Sequence, residues 1–152
     1  TAVDGFAVAN FLKKYHLKKF KLLSNNDVLF KDNDYTQKNI RIQKSPIIKT
    51  NKHNDIEEVR INLGAMGTLD INPKIMNNFY EAYALFYKQL HSKKFQIEFK
   101  LKAGDIFCFD NRRVLHGRTK FDPNSGNRHL QGYYIEREEI KSKLNYLNRV
   151  KF

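Results

Sequence analysis

The stretch KFQIEFKLKAGDIFCFDN, residues 94–111, decides the fold that the sequence predicts. Apolar and polar side chains alternate through its first half, which is the period of a strand with one face turned towards a core. The inward-facing residues expected from this alternation are Phe95, Ile97, Phe99 and Leu101. The segment AGD, residues 103–105, is expected to turn the chain, so that DIFCFDN, residues 105–111, returns as the next strand. The stretch therefore predicts an antiparallel β-hairpin.

Further segments rich in β-branched and aromatic residues lie on both sides of this hairpin, as is typical of short strands. Those before it are DVLFK (residues 27–31), KNIRIQK (38–44), PIIKT (46–50) and EEVRIN (57–62), and those after it are RVLHG (113–117) and RHLQGYYI (128–135). Ile40 and Ile42 alternate with charged neighbours, and this alternation predicts a half-buried strand.

Three segments have the pattern of helices. The first, residues 3–25, predicts one or two helices with Asp4 as the N-cap and a stop at residues 24–26. The second, residues 72–92, predicts a helix with Pro73 at its start. Its apolar face is formed by Ile75, Phe79, Ala82, Phe86 and Leu90. The third, residues 136–150, has its acids early and its bases late, as the helix dipole favours.

Together these elements predict a fold that is mainly β with flanking helices, namely a partial double-stranded β-helix, or jelly roll. A chain of 152 residues fits one domain, so we expect residues 1–152 to form a single domain. No βαβ pattern with a glycine-rich first loop is present in the sequence, and this argues against a dinucleotide-binding fold.

Composition narrows the class of protein. Hydrophobic residues make up 41% of the chain, which favours a globular protein, and no run approaches the ~20 apolar residues of a membrane span. Cys108 is the only cysteine, so a reducing, cytoplasmic location is expected.

The net charge of +12 leaves a nucleic-acid partner open, but the lysines are spread along the chain without a nucleic-acid-binding motif. We therefore expect solvated surface lysines, with neither a nucleic acid nor a membrane as partner.

The stretch FDNRRVLHGRTKFDPNSGNRHLQGYY, residues 109–134, contains the residues most suited to chemistry. His116 ends an apolar run, and Arg128 follows twelve residues later, after the turn signal DPNSGN. If the two strands pair, both side chains can enter the same interior, although each residue could also be an ordinary surface group. Imidazole is a good ligand for Fe(II). The planar guanidinium group of a buried arginine can bind a carboxylate through two parallel hydrogen bonds. The pair therefore suggests half of a metal site that also binds an oxo-acid.

The pattern FDN…LHGR…RHL.G.Y within this stretch resembles the C-terminal core of the gamma-butyrobetaine and trimethyllysine dioxygenases, in the taurine/2,4-D dioxygenase superfamily. The similarity extends upstream to VRINL (residues 59–63) and VDGF (residues 3–6). It implies an enzyme that uses Fe(II), 2-oxoglutarate as co-substrate and ascorbate as an accessory, and that hydroxylates an aliphatic carbon of a small molecule. It also implies that His116 binds iron, that Arg128 binds the far carboxylate of 2-oxoglutarate, and that Tyr134 lies near the substrate's quaternary ammonium.

The same resemblance places the other two iron ligands, in a His-x-Asp pattern, upstream of residues 3–6. We therefore expect the chain alone to be inactive, as a truncated or split product that acts with a separate N-terminal half or as a homo-oligomer. The His53–Asp55 sequence HND has the His-x-Asp spacing, but its polar surroundings predict an exposed loop. The alternative function is a catalytically inactive β-scaffold that binds a partner through unpaired sheet edges.

Overall fold

A computed structural model describes residues 1–34, 36, 38–117, 124 and 129–149. The chain forms two compact units, Thr1–Thr119 and Lys120–Phe152. The elements of the first unit are β1 (Ala2–Asp4), α1 (Gly5–Tyr15), α2 (Leu17–Asn25), β2 (Asp27–Asp34), β3 (Asn39–Pro46), β4 (Ile48–Thr50), β5 (Ile56–Val59), α3 (Pro73–Leu90), β6 (Gln96–Ile97) and β7 (Val114–His116). The second unit contains α4 (Arg137–Arg149). Among the described residues, no helix combines the length and the apolar character needed to cross a membrane.

The helices form where the sequence predicts them. The Asp4 carboxylate accepts hydrogen bonds from the backbone N–H groups of Phe6 (3.0 Å) and Ala7 (3.4 Å) and so caps α1, as expected. Pro73 begins α3, and Asn72 caps that helix by accepting a hydrogen bond from Lys74 N. Glu138 and Glu139 lie in the first turn of α4 and Arg149 in its last, which confirms the predicted distribution of charge.

The core of the first unit lies where α1, α2 and α3 pack together and against the neighbouring strands. Phe79, Ala82, Phe86 and Leu90 are buried on one face of α3, which confirms the predicted apolar face, and Ile75 is half-buried. Burying each phenylalanine contributes about 1.5–3 kcal/mol through the hydrophobic effect. The helices are therefore held by tertiary packing, with the Lys19–Glu81 ion pair (2.9 Å) joining α2 to α3 at the surface.

Three small antiparallel sheets accompany the helices in the described part of the chain. Their strand orders are β6–β1–β7, β2–β3 and β4–β5. The antiparallel pairing is as predicted, but helices and strands are mixed, and these sheets do not by themselves make a double-stranded β-helix. The jelly roll and the single domain over residues 1–152 therefore stay predictions.

The predicted burial of the β2–β3 hairpin is wrong at two positions. Ile40 and Ile42 lie in β3, as expected, but their side chains are 59% and 62% exposed. They pair with Asn33 and Lys31 in the half of the hairpin that leads away from the core, whereas Val28 and Ser45 at its base are buried. Alternation identified the strand correctly, but it could not show that the strand extends beyond the core.

The hairpin predicted for residues 94–111 forms only in part. Gly104 turns the chain with a φ of +88°, and Lys102 N donates to the Asp105 carboxylate at 2.8 Å, so the turn is confirmed. Strand β6 is limited to Gln96–Ile97, and no strand is described over residues 105–111. Ile97, Phe99 and Leu101 are 59%, 40% and 39% exposed, so their predicted inward positions are wrong, and Phe95 is half-buried. Strand β6 is the edge strand of its sheet and pairs with β1 only at Gln96 and Ile97, so no further described strand covers the side chains that follow.

The predicted strand over residues 128–135 is also wrong for the residues that the structure describes. Residues 129–135 have no strand assignment, and Tyr133 and Ile135 are exposed. Their apolar and aromatic composition is typical of strands, but a strand forms only where a partner completes its hydrogen bonds.

Candidate functional site

His116 is the last residue of β7 and lies opposite Ala2 of β1. Just beyond this pair, Gly117 N donates to Thr1 O at 3.1 Å, and the Thr1 amino group donates to Gly117 O at 3.2 Å. The imidazole is exposed and makes no hydrogen bond to another described residue. Its nitrogens are thus available to a metal ion.

The ring of Phe109 supports the imidazole. The two ring centroids are 4.6 Å apart with an interplanar angle of 57°. Phe109 in turn contacts Phe107 at 4.8 Å, and Phe107 contacts Phe99 at 4.9 Å. These rings form an aromatic row that ends at His116. Because aromatic pairs prefer such tilted contacts at 4.5–7 Å, the row restricts the orientation of the imidazole from one side.

A tight turn at residues 110–113 connects Phe109 to the strand that carries His116. Asp110 O accepts from Arg113 N (3.0 Å) and Val114 N (2.8 Å), and the Asp110 carboxylate accepts from Arg112 N (3.0 Å). Val59 N of β5 donates to Arg112 O at 2.8 Å, which ties the turn to a second sheet. Phe109 and His116 are therefore the two ends of one internally bonded turn and strand.

An ion pair fixes this turn to the start of α1. Arg113 Nε lies 3.1 and 3.2 Å from the two Asp4 carboxylate oxygens, and Arg113 Nη2 lies 2.7 Å from Asp4 Oδ2. The hydrogen bond from Arg113 is the main cause that lowers the pKa of Asp4 from its ordinary value, against the opposing effect of partial burial. The same contact raises the pKa of Arg113. Arg113 also lies over the ring of Phe6, 5.5 Å from its centroid.

The His53–Asp55 segment is an exposed loop, as predicted. The Asn51 side chain accepts from the backbone N–H groups of His53 (2.8 Å) and Asp55 (2.9 Å), which organises a turn between β4 and β5. The Asp55 carboxylate itself accepts a hydrogen bond from the Asn51 amide at 3.2 Å. The HND sequence thus serves a local turn, which explains its spacing without a metal.

Two other residues predicted for the site cannot be placed beside His116. Arg128 lies outside the described residues. Tyr134 belongs to the second unit, where its side chain is 80% exposed. The roles predicted for Arg128 and Tyr134 therefore stay predictions.

Among the described residues, one side chain is suited to bind iron. The exposed imidazole of His116, supported by Phe109 and without a hydrogen bond to another described residue, fits a metal ligand. No group of three or more His, Cys, Asp or Glu side chains that could hold an ion is present in the described part of the chain. The described residues therefore do not form a complete iron site, and His116 contributes at most one of its ligands.

The Asp4–Arg113 ion pair is a feature that the sequence interpretation missed. Asp4 was expected only as a helix cap, and Arg113 had no predicted role. The two residues are 109 positions apart, so no local period connects them. The one signal in the sequence is that Asp4 lies within VDGF and Arg113 lies two residues before LHGR, the segments on which the family resemblance rests.

Comparison with known proteins gives a consistent family match. A sequence model of the taurine catabolism dioxygenase TauD, TfdA family matches residues 1–134. Gamma-butyrobetaine dioxygenase of Pseudomonas sp. (strain AK-1) is 35% identical over 149 residues, which are 98% of this chain and 38% of that protein. The human gamma-butyrobetaine dioxygenase is 31% identical over 150 residues, which are 97% of this chain and 39% of that protein.

Trimethyllysine dioxygenase of Meyerozyma guilliermondii is 32% identical over 151 residues, which are 96% of this chain and 37% of that protein. The similarity thus extends over almost all of the chain, which in turn spans about two-fifths of the length of these curated relatives. The matched range of the family model contains His116, Arg128 and Tyr134.

Proposed function

The chain belongs to the taurine catabolism dioxygenase TauD, TfdA family, and we propose that it supplies the C-terminal part of the catalytic core of an Fe(II)- and 2-oxoglutarate-dependent dioxygenase. The observation that carries this proposal is the family match over residues 1–134, with two kinds of relative that are both named dioxygenases. The accessible imidazole of His116 supports it. In the assembled enzyme we propose a jelly-roll fold and, from the single Cys108, a cytoplasmic location.

His116, Arg128 and Tyr134 have separate roles in this proposal. His116 would hold Fe(II) through a ring nitrogen, and Arg128 would bind the far carboxylate of 2-oxoglutarate through its planar fork. When bound, the iron and 2-oxoglutarate, with ascorbate as accessory, supply the oxidising chemistry that hydroxylates an aliphatic carbon. The ring face of Tyr134 would attract the positive end of the substrate.

The proposed substrate is a small molecule with a quaternary ammonium group, similar to gamma-butyrobetaine. The relatives are named for gamma-butyrobetaine and trimethyllysine. The family resemblance implies an amide-bearing Asn at the position of Gly64 and a Trp at that of Arg112, and this chain departs from the pattern at both. In the structure a Cβ atom at Gly64 would lie 3.5 Å from the Asn62 side-chain oxygen, and Arg112 is exposed. We therefore propose the class of substrate, a small quaternary ammonium compound, and neither named compound in particular.

A complete site also needs ligands in addition to His116. We propose that these come from a His-x-Asp pair in a segment N-terminal to residues 1–152. The 152-residue chain by itself is then expected to bind Fe(II) weakly and to be inactive. The alternative function is an inactive β-scaffold of the same family that binds a partner, which exposed apolar side chains such as Ile97 (59%) and Ile106 (93%) support.

Substitution of Arg128 by lysine tests the proposed co-substrate site. The assay protein is this chain co-expressed with the N-terminal part of the Pseudomonas relative, and it is called the complemented protein below. Arg128→Lys is expected to weaken 2-oxoglutarate binding by about 1–3 kcal/mol, because a lysine ammonium group cannot donate the two parallel hydrogen bonds that a guanidinium group donates to a carboxylate. Calorimetry measures this loss. Arg41→Lys, at an exposed position of β3, is the matched control and should leave the affinity unchanged.

Equal binding of 2-oxoglutarate by the Arg128→Lys variant and the parent would show that Arg128 is an ordinary surface residue. A parent complemented protein that assembles but does not bind 2-oxoglutarate would instead favour the inactive scaffold. The two outcomes separate an error in one residue's role from an error in the function itself.

A further inference from the structure

We propose that Asp4 and Arg113 are positioning residues for His116, because their ion pair fixes the turn that places the imidazole against Phe109. This inference rests on the proposed function only in taking His116 as the metal ligand. The placement of the ring is a separate claim that can be tested without iron. Ligand side chains need supporting contacts of this kind, because small errors in their position weaken a metal site.

The first step is the geometry of the ion pair. Arg113 presents Nε and Nη2 to the Asp4 carboxylate in a fork, with a shortest distance of 2.7 Å. The same carboxylate caps α1 through Phe6 N and Ala7 N. Asp4 therefore connects the rigid start of a helix to the residue that immediately precedes β7.

The second step is the backbone beneath the ion pair. Gly5 N donates to Arg113 O at 2.9 Å. A Cβ atom at Gly5 would lie 2.9 Å from that oxygen and 3.1 Å from Val59 Cβ, so only glycine allows this approach. The close contact brings α1, the turn and β5 together. The ion pair adds side-chain hydrogen bonds to the same junction.

The third step connects the turn to the imidazole. Phe109 precedes the turn and His116 follows it by three residues, and their rings meet at 4.6 Å. Bonds between Thr1 and Gly117 fix the far end of β7. With both ends of the strand held, the turn geometry decides whether Phe109 and His116 can touch. Loss of the ion pair would leave the turn held by backbone hydrogen bonds alone, and we expect the two rings then to shift relative to each other.

A purely stabilising role is the competing explanation. The side chains of Asp4 and Arg113 are 36% and 53% exposed, and exposed ion pairs contribute little to stability. Variants that lose the pair should therefore fold, and this makes the two explanations distinguishable. A stabilising contact would change only the unfolding transition, whereas a positioning contact would change the surroundings of His116 in the folded protein.

The test is the NMR resonance of the His116 ring in the full chain, assigned by its loss in His116→Ala. Asp4→Asn keeps an N-cap oxygen but removes the charge, and Arg113→Gln removes the cation. In both variants the His116 ring resonance should move towards its position in Phe109→Leu, which lacks the aromatic neighbour. Arg113→Lys should restore part of the parent position. Asp70→Asn, which breaks the exposed Lys44–Asp70 pair (3.4 Å), should leave the resonance unchanged.

An unchanged His116 resonance in folded Asp4→Asn and Arg113→Gln would overturn the proposal. If one of these variants fails to fold, the other is compared with Arg113→Lys. If both fail, Arg113→Lys decides, because it keeps the positive charge and loses only the paired hydrogen bonds from Nε and Nη2. Its resonance should then lie between those of the parent and Phe109→Leu, and identity with the parent would overturn the proposal. Titration of the parent with Co²⁺ tests the ligand assignment separately: no effect on His116 counts against the proposed function and leaves the positioning result intact.

Discussion

Replacing His116 by alanine is expected to abolish Fe(II) binding by the complemented protein while leaving its fold intact. His116 is the one described residue that the family resemblance identifies as an iron ligand. Loss of an outer-shell partner already costs 10–100-fold in metal affinity or activity, so loss of a ligand should exceed about 100-fold. The fold should persist because the imidazole is exposed and contacts mainly one ring, that of Phe109.

Iron titration followed by calorimetry, with circular dichroism as the check on folding, measures this effect. His53→Ala is the matched control, because it removes an exposed histidine from the loop with the alternative His-x-Asp spacing. Its iron affinity should equal that of the parent. Retained iron binding in His116→Ala, together with loss in His53→Ala, would move the metal site to the loop at residues 53–55.

Substitution of Phe86 by alanine should have the largest effect on stability. Phe86 is fully buried in the face of α3 that packs on the other helices. Removal of a buried phenylalanine ring costs about 3–5 kcal/mol, through lost transfer free energy and the cavity left behind. Domains of this kind have free energies of unfolding of about 5–15 kcal/mol, so the variant should retain little stability.

Urea denaturation of the chain and its variant gives the difference in unfolding free energy. Tyr80→Ala is the control on the same helix, because that side chain is 54% exposed and its loss should change stability by less than about 1 kcal/mol. Equal stability of Phe86→Ala and Tyr80→Ala would mean that α3 is not held by this face.

The helices could be predicted from the sequence because their signals are local. A cap such as Asp4, a starting proline such as Pro73 and a 3.6-residue apolar period all act within one or two turns. The buried face of α3 followed directly from that period. The two turns of the chain at residues 53–55 and 103–105 were likewise identified from Asn, Asp and Gly residues that act on their own backbone.

The strands were less predictable because a strand needs a partner. Alternation of apolar residues correctly identified β3, but Ile40, Ile42 and Ile97 are exposed. Whether an apolar face is covered depends on residues far away in the sequence, and alternation contains no information about them. The strands expected over residues 105–111 and 129–135 failed for the same reason.

In the candidate site, too, the local features could be predicted and the contacts between distant residues could not. His116 could be singled out because it lies in a family pattern and at the end of an apolar run. The contact with Phe109 and the Asp4–Arg113 ion pair could not be derived, because both depend on the turn at residues 110–113 and on tertiary packing against β1 and α1. The sequence therefore suggested a ligand, and the structure added the residues that surround it.

Succinate release from 2-oxoglutarate, with added Fe(II) and ascorbate, tests most directly the claim that this chain contributes His116 to a dioxygenase site. The chain alone should release no succinate, and the complemented protein should release it at a rate that His116→Ala abolishes. The opposite result would be robust turnover by the chain alone that is lost in His53→Ala or Asp55→Ala, or turnover by the complemented protein that survives His116→Ala.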